Sequence, residues 1–515
     1  MTTVSQTAAK AWDQLSALPA SPLKDLFAGD AGRVDAMTRR LEWPVGPDGE
    51  TTGMRIDFSK THLDDAALKA FEALADAVDF ATAREALFSG GIVNVTEGRA
   101  ANHGAMRGSG TDADTEEAAA LLARMGMLVD AIHDGVLGEV KHLIHIGIGG
   151  SALGPALAVD ALTRDLAKVD VHVVSNIDGL ALEQACAACD PATTMIAVAS
   201  KTFTTIETMT NAASALAWLE REGVTDPSGR VVALTANPEK AVAWGVDETR
   251  ILPFPESVGG RYSLWSSIGF PVALAIGMEE FREFLGGAQA IDTHFREADG
   301  RDNSPLLAAF ADQYYARVRG CQTRAVFAYD ERLALFPDYL QQLEMESNGK
   351  SVTTDGEPVT APTAAITWGG VGTDAQHAVF QLLHQGTHLV PVDFIASVAP
   401  GDELDPAHHR TLLLNCLAQG AALMAGKASA DDPARAYPGD RPSTTFLTDD
   451  IDASTLGALI AFHEHRTFAN AVLMGINPFD QFGVELGKAI AKQIDAGEGE
   501  FDASTSALME VAGLR

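Results

Sequence analysis

Short apolar runs alternate with amphipathic stretches from about residue 140 of the chain onward. The first series of runs and stretches covers residues 142–146, 152–166, 171–175, 195–199, 204–220 and 231–234. A second series covers residues 324–329, 364–368, 374–385, 388–395 and 411–425. Because short buried strands that alternate with helices form βαβ units, each series predicts a mostly parallel sheet covered by helices. The pattern therefore predicts an α/β fold with two lobes in tandem.

The two ends of the chain have a different pattern. Apolar residues at helical spacing over residues 64–78 and 80–88 predict that residues 1–110 form helices separated by polar turns. Near the other end, residues 451–470 and 479–494 predict two further helices.

Two stretches without periodicity predict linkers. Residues 286–305 and 428–442 are rich in Asp, Ala, Pro and Gly, which favour turns and loops. We therefore expect three parts: an N-terminal helical segment, residues 1–110, that packs on the lobes; a first lobe, residues 111–285; and a second lobe with C-terminal helices, residues 286–515.

The chain is long and strongly acidic. Its 515 residues exceed the roughly 250 to 300 residues at which a single core stops growing, which agrees with two lobes. It has 37 Lys and Arg against 70 Asp and Glu, a formal charge of −33, and such a surface repels nucleic acid and anionic lipid. We expect no nucleic-acid or membrane partner, and an anionic ligand must be held by local cations and backbone N–H groups.

Membrane, secretory and disulfide segments are not expected. The longest apolar run, residues 269–278, is short and contains Pro271, and the N-terminus lacks the basic and apolar segments of a secretory signal. Four cysteines are too few for a disulfide framework. Cys186 and Cys189 form a CxxC, but no predicted strand immediately precedes it, so we interpret it as helical and without redox function. The sequence predicts a cytoplasmic protein.

A glycine-rich loop, residues 147–154, directly follows a predicted strand and begins a helix. Glycines allow the backbone N–H groups to approach a ligand, and the helix N-terminus adds positive potential. The loop also fits the G-x-G-x-x-A pattern of dinucleotide-binding proteins, but the next predicted strand runs into Asn176 where that pattern requires an acidic residue. A nicotinamide cofactor and a tight turn without a ligand remain as alternatives.

Two further loops suggest an anion site. The segment Ser200-Lys-Thr-Phe-Thr-Thr205 places four hydroxyls and one ammonium before a predicted helix, which favours a phosphate over simple helix capping. Arg261 follows two glycines, and we weigh a role in a ligand site against a surface ion pair.

General acid–base chemistry near neutral pH uses carboxylates, imidazoles and ammonium groups. Candidates of these types, with a neighbouring amide, are Gln342, Glu346, His377 and Lys488. The histidine pairs at His408–His409 and His463–His465 lack the spacing of known metal sites, so we predict no metal.

Six segments, taken together and in order, resemble the phosphoglucose isomerase family. They are Gly147-Ile-Gly-Gly-Ser151, Ser200-Lys-Thr-Phe-Thr-Thr-Ile-Glu-Thr208, Gly259-Gly-Arg-Tyr-Ser-Leu-Trp265, Met345-Glu-Ser-Asn-Gly-Lys350, residues 376–387 and Ile476-Asn-Pro-Phe-Asp-Gln-Phe-Gly-Val-Glu-Leu-Gly-Lys488. The resemblance implies two sugar-isomerase (SIS) lobes, of which the first binds phosphate, and a homodimer that isomerises a hexose phosphate without a cofactor.

The resemblance also implies a role for each matched residue. Glu346 would move the proton between C1 and C2, His377 would open the sugar ring with support from Glu207, and Arg261 would stabilise the enediolate. Lys488 would assist ring opening or contact a hydroxyl. The residues that would bind substrate, mainly at its phosphate, are Gly150, Ser151, Ser200, Lys201, Thr202 and Thr205, and those that would position it are Gln342 and Gln481. His377 would reach the active site of the partner subunit.

Two other function classes compete with this interpretation. A catalytically dead sugar-phosphate sensor would keep the phosphate loop but lose Glu346, His377 or Lys488, and all three are present. A nicotinamide-dependent dehydrogenase would use the loop at residues 147–154.

Overall fold

The structure is a computed structural model that describes residues 4–46, 49–164 and 167–514. The chain divides into two units, of which the first ends at Pro478 and the second begins at Phe479. The first unit contains two sheets, both mostly parallel and covered by helices, so the predicted α/β class is confirmed.

The N-terminal segment contains a β-hairpin as well as helices. Its elements are α1 (Val4–Ser16), α2 (Leu23–Gly29), α3 (Arg33–Ala36), β1 (Thr38–Val45), β2 (Glu50–Asp57), α4 (Asp65–Ala77) and α5 (Phe80–Phe88). The prediction of helices alone over residues 1–110 is wrong at the hairpin. The alternating apolar pattern of β1 is short, with Leu41, Trp43 and Val45, and Pro44 is tolerated because β1 lies at a sheet edge. Pairing with a strand far along the chain stabilises this hairpin, and local sequence does not reveal such pairing.

The first series of runs forms a five-stranded sheet whose strands are all parallel. Its elements are α6 (Asp112–His133), β3 (His142–Ile146), α7 (Leu153–Thr163), β4 (Asp170–Val174), α8 (Gly179–Ala188), β5 (Thr194–Ala199), α9 (Ile206–Arg221), β6 (Val231–Thr235), α10 (Pro238–Trp244) and β7 (Ile251–Pro253). The strand order is β4-β3-β5-β6-β7. The four predicted strands are confirmed. The last residues of the helix predicted over 152–166, residues 165–166, lie outside the described residues.

The second series forms a six-stranded sheet that also contains the N-terminal hairpin. Its elements, with the helices before it, are α11 (Phe270–Ile276), α12 (Met278–Glu297), α13 (Ser304–Gln313), β8 (Thr323–Tyr329), α14 (Phe336–Asn348), β9 (Ile366–Val371), α15 (Asp374–Gln385), β10 (Val392–Ser397), α16 (Ala407–Ala425), β11 (Ser443–Thr448) and α17 (Ala453–Met474). The order is β1-β2-β11-β10-β8-β9, and β2 joins β11 in antiparallel pairing.

The linker predicted at residues 286–305 is wrong, because α12 continues to Glu297. Gly286 and Gly287 contributed to the linker prediction, but both lie within α12. A Cβ on Gly287 would collide with the carbonyl of Ser454 in α17. Glycine is needed here for close helix packing. The predicted domain boundary after residue 285 falls inside α12, and the division into lobes stays a proposal. Residues 428–442 contain a short 3₁₀ turn and one isolated β-bridge, from Tyr437 to Lys427, as expected of a connecting loop.

Helix α17 is buried along nearly its whole length and packs against α12, α13 and α14. The charged side chains of α17 are paired. Glu464 accepts a hydrogen bond from Arg107, which also donates to Asp292 of α12. Arg466 donates to Asp312, with Nη2 to Oδ1 at 2.6 Å. A mostly apolar helix can bury a few charged side chains in the core when each charge has a partner.

The second unit contains α18 (Glu485–Asp495) and α19 (Ala503–Val511). The helix predicted to start at residue 479 begins instead at Glu485, after a 3₁₀ turn at Phe482–Val484. Across both units, none of the helices in the described ranges combines the length and apolar character needed to cross a membrane.

Candidate active site

The glycine loop and the loop before Arg261 meet at the carboxyl edge of the first sheet, where open parallel sheets bind ligands. Residues Gly149–Ser151 form a 3₁₀ turn between β3 and α7. A Cβ on Gly150 would collide with the backbone of Gly260 and the backbone nitrogen of Arg261. Glycine at position 150 therefore allows the backbone of Arg261 to lie this close to the glycine loop.

His145 ties the glycine loop to β3. Its Nε2 lies 2.7 Å from the carbonyl oxygen of Ser151, and its ring is fully buried. Burial lowers the pKa of His145 to about 4, so the ring is neutral at neutral pH. The Nε2–H group then donates to the Ser151 carbonyl and holds the turn in place.

Helix α14 presents the acid–base candidates. Leu340 and Leu343 belong to its buried face, while Gln342 and Glu346, four residues apart, share another face. Gln342 Nε2 donates to Glu346 Oε2 at 2.9 Å. The same nitrogen would lie 3.1 Å from a Cβ on Gly149, so this amide lies between the glycine loop and the carboxylate.

Arg261 is a buried cation beside a more accessible carboxylate. Its Nη1 lies 3.5 Å from Glu346 Oε2, and the two side chains are 2% and 23% exposed. Arg261 Nε donates to Ser347 Oγ at 2.6 Å, and Nη2 donates to the carbonyl of Pro478. These contacts fix the guanidinium, whereas solvent can reach Glu346. The pair can take a proton from a substrate and stabilise the negative charge that results.

The loop after β5 forms a cradle of hydroxyls at the start of α9. Ser200 Oγ lies 3.0 Å from Thr205 Oγ1, and Thr204 Oγ1 donates to Thr202 Oγ1 at 2.8 Å. Thr205 is the N-cap residue, but within the described chain no side chain caps α9. The interpretation of these hydroxyls as helix caps is therefore not supported, and the first N–H groups of α9 remain available to an anion.

Lys201 points to a neighbouring loop. Its Nζ donates to the carbonyls of Glu256 at 2.6 Å and Val258 at 3.0 Å. Burial is the main cause that lowers the pKa of Lys201 to about 8, and the positive charge of Arg99 lowers it further. The ammonium thus links the hydroxyl cradle to the segment that leads into Gly259.

His377 and Glu207 form no hydrogen bond or ion pair with each other within the described chain. His377 is exposed in the first turn of α15, and Glu207 is partly exposed in the first turn of α9. Among the residues that the structure describes, neither side chain has a hydrogen bond or ion pair. Gln481 and Lys488 belong to the second unit, where both are exposed and Lys488 lies on α18.

Comparison with known proteins identifies the family. The family model described as phosphoglucose isomerase matches residues 57–509. The chain belongs to the phosphoglucose isomerase family. A glucose-6-phosphate isomerase from Erythrobacter litoralis is 72% identical, over 99% of this chain and 100% of its own. Another from Novosphingobium aromaticivorans is 70% identical, over 98% of each chain. The crystal structure of a glucose-6-phosphate isomerase from Chlamydia trachomatis covers 99% of both chains, with a TM-score of 0.87 and 29% identity.

Two residues of this phosphoglucose isomerase family member were missed as site residues by the sequence analysis. Ser347 receives the Arg261 Nε–H and also lies 2.9 Å from the Tyr262 hydroxyl. Lys350 Nζ donates to the carbonyls of Glu346 and Ser347, both at 2.7 Å, at the end of α14. Both lie in the Met345–Lys350 segment that carried the resemblance, which was the available signal.

The dinucleotide alternative finds no support at the end of β4. The acidic residue that follows this strand, Asp178, accepts the backbone N–H of Leu180 and caps α8. Its carboxylate thus has a structural partner. Membership of the phosphoglucose isomerase family further favours the isomerase interpretation of the glycine loop.

Proposed function

We propose that the chain is an aldose–ketose isomerase that interconverts glucose 6-phosphate and fructose 6-phosphate, a step of glycolysis and gluconeogenesis. The reaction opens the sugar ring and passes through a cis-enediol. The family match and the relatives at 72% and 70% identity support this activity. The observation that carries the chemistry is the accessible Glu346 carboxylate beside the fixed Arg261 guanidinium.

Glu346 is the base in this proposal. A carboxylate of moderate basicity can take the proton from C2 and return it to C1, because the same oxygen serves in both directions. Negative charge develops on the enediolate during this transfer, and Arg261 stabilises it because a guanidinium stays charged. Gln342 orients the carboxylate through its 2.9 Å hydrogen bond. The two sugars are isomers, so the reaction has no net oxidation and requires no redox cofactor. Arg261 supplies the positive charge at the enediolate that a metal ion would otherwise supply.

The phosphate binds in the hydroxyl cradle. Ser200, Thr202 and Thr205 supply hydroxyls, the start of α9 supplies N–H groups, and Gly150 and Ser151 complete the pocket. The overall charge of −33 repels a sugar phosphate, so these local donors must provide the attraction. Lys201 joins the cradle to the loop before Arg261 through its hydrogen bonds to the Glu256 and Val258 carbonyls. Gln481 positions the substrate.

The protein acts in the cytoplasm as a homodimer with shared active sites. His377 opens the ring together with Glu207 of the other subunit, and Lys488 assists. The exposed position of His377, without a hydrogen-bonding partner in its own described chain, supports this arrangement. In a two-fold dimer each site then needs both chains.

The test of the activity uses the purified protein, fructose 6-phosphate and a chelator, with no added enzyme, metal or nucleotide. Proton NMR should show conversion to glucose 6-phosphate, and the same final mixture should form from either sugar. If neither sugar is converted under these conditions, the proposed function is wrong. Nicotinamide-dependent absorbance changes with hexose phosphate would instead indicate a dehydrogenase.

A further inference from the structure

Three side chains of types that bind metals lie together at the amino edge of the first sheet. One ring nitrogen of His142, one ring nitrogen of His172 and the Sγ of Cys189 lie within 4.8 Å of one another. Each residue belongs to a different part of the fold: His142 begins β3, His172 lies in β4 and Cys189 is the C-cap residue directly after α8. The loops that form the candidate active site leave the opposite, carboxyl edge of this sheet.

The strand register explains why the two histidines meet. In the parallel pair β3–β4, His142 is opposite Asp170, and His172 is opposite Ile144. Alternate residues of a strand share a face, so His142, Ile144 and both of their partners point to the same side of the sheet. Helix α8 packs on this side, because Ile144, Cys189 and its buried apolar residues belong to one core cluster. Folding alone therefore assembles the group.

Each of the two histidine rings has one buried nitrogen without a hydrogen bond. His142 Nδ1 and His172 Nε2 are both inaccessible to solvent and make no hydrogen bond within the described chain. Native proteins rarely leave neighbouring buried polar atoms unpaired, because each then loses its hydration without compensation. A metal ion accepts the lone pairs of both rings at once and removes this cost.

Burial shifts the pKa values of His172 and Cys189 in opposite directions, in each case toward the neutral form. Burial is the main cause that lowers the pKa of His172, and the neighbouring His142 lowers it further, which favours the neutral form that binds metals. Burial raises the pKa of the Cys189 thiol to about 11, so a metal must displace its proton on binding.

We propose that His142, His172 and Cys189 form a structural site for a thiophilic divalent cation, with Zn²⁺ as the best fit. Two imidazoles and one thiolate are typical zinc ligands. A tetrahedral ion with bonds of about 2.0 to 2.3 Å holds its ligand atoms roughly 3.3 to 3.8 Å apart. Small side-chain rotations would bring the three ligand atoms, now within 4.8 Å of one another, to these distances. Water fills the fourth position, or Asp170 does after a side-chain movement, since its Oδ2 lies 3.8 Å from His142 Nδ1.

The ligands of this site are distant along the chain. They come from two strands and a helix end, whereas histidine pairs such as His408–His409 are adjacent in sequence. The ion would join β3, β4 and α8 and stabilise the first sheet. It would take no part in the isomerisation, because it lies at the opposite edge from the glycine loop and the hydroxyl cradle.

Cobalt substitution tests the site on the full-length protein, kept reduced so that the thiols stay free. Co²⁺ bound by a thiolate gives a charge-transfer band in the near ultraviolet, and tetrahedral Co²⁺ gives intense visible bands. We expect one Co²⁺ per chain with both features, and displacement of both by Zn²⁺. Cys189→Ser should remove the charge-transfer band, and His172→Gln should weaken binding at least about tenfold.

Matched control variants separate this site from chance binding. Cys186→Ser changes the other cysteine of the CxxC, and His408→Gln changes an exposed histidine, so both should bind Co²⁺ as the unaltered protein does. Circular dichroism checks that each variant is folded. The proposal is overturned if the unaltered protein shows no charge-transfer band at saturating Co²⁺, or if the band persists unchanged in folded Cys189→Ser.

Discussion

At the residue scale, the site depends on fixed donors around groups that solvent can reach. Arg261 has its guanidinium held by Ser347 and the Pro478 carbonyl, so it does not have to reorganise when charge develops on a substrate. Glu346 keeps one oxygen near Gln342 and Arg261 and remains partly exposed. This contrast between a buried cation and an accessible carboxylate is what the proposed proton transfer requires.

The hydroxyl cradle leads to a first prediction. Replacing both Ser200 and Thr205 by alanine should raise KM more than it lowers kcat, because the phosphate is remote from C1 and C2. Steady-state kinetics with fructose 6-phosphate measure the two effects. Inorganic phosphate should inhibit the unaltered enzyme competitively and the double variant much less. A fall in kcat alone, with unchanged phosphate inhibition, would place these hydroxyls outside the phosphate site.

Lys201 leads to a second prediction, which separates a phosphate ligand from a loop tether. Its ammonium donates to the carbonyls of Glu256 and Val258, so Lys201→Met should loosen the segment before Arg261. We expect kcat to fall by about tenfold, because a mobile Arg261 would stabilise the transition state less well. A tenfold fall corresponds to about 1.4 kcal/mol. Inhibition by inorganic phosphate should change little. Loss of phosphate inhibition with unchanged kcat would show that Lys201 binds the phosphate directly.

At the scale of elements, sequence patterning identified most of the parallel strands and the loops after them, but not β7 or β11. Strands β3 and β5 are short and entirely or almost entirely buried, so their apolar runs and the glycine or hydroxyl loops that follow were visible locally. The hairpin of β1 and β2 and the continuity of α12 were missed. Both depend on partners distant along the chain, β11 for the hairpin and α17 for the helix.

The candidate site was predictable in part for the same reason. Gln342 and Glu346 lie four residues apart on α14, and the helical period places them together. The support of Arg261 by Pro478 joins positions far apart in sequence, so spacing could not reveal it. Likewise the group of His142, His172 and Cys189 arises from strand register and helix packing.

The buried ion pairs of α17 lead to a third prediction. Arg107 is fully buried and donates to Asp292 and Glu464, so Arg107→Met leaves two buried carboxylates without their cationic partner. Each keeps one hydrogen bond, Asp292 to His465 and Glu464 to Trp265. The free energy of unfolding should fall by about 3 to 5 kcal/mol in denaturant titrations. The exposed pair of Lys69 and Asp65 is the control, and Lys69→Met should change stability by less than about 1 kcal/mol. Equal effects of the two variants would contradict this account.

At the scale of the whole molecule, the proposed dimer supplies what one chain lacks. Within a chain, His377 is exposed and has no hydrogen bond to Glu207 or Glu346 among the described residues. A two-fold pairing that brings His377 to its neighbour's site would complete the set of groups needed for ring opening and proton transfer.

Subunit mixing is the fourth prediction. Glu346→Gln and His377→Ala chains, each nearly inactive, should regain activity when they are unfolded and refolded together. Random pairing makes half of the dimers mixed, and one of the two sites in each mixed dimer is intact, so roughly a quarter of normal activity should return. Separately refolded chains mixed afterwards are the control. If mixed dimers form but stay inactive, His377 acts within its own chain.

Proton transfer by Glu346 is the central claim, and isotope exchange in the Glu346→Gln variant tests it most directly. Glutamine keeps the shape of the side chain and removes its ability to accept a proton. In deuterated water, the unaltered enzyme should introduce deuterium at C2 of glucose 6-phosphate as it isomerises the sugar. The variant should lose isomerisation and exchange together, by about 10² to 10⁴, while inorganic phosphate still binds. Exchange at C2 that continues at the unaltered rate in the variant would contradict the claim.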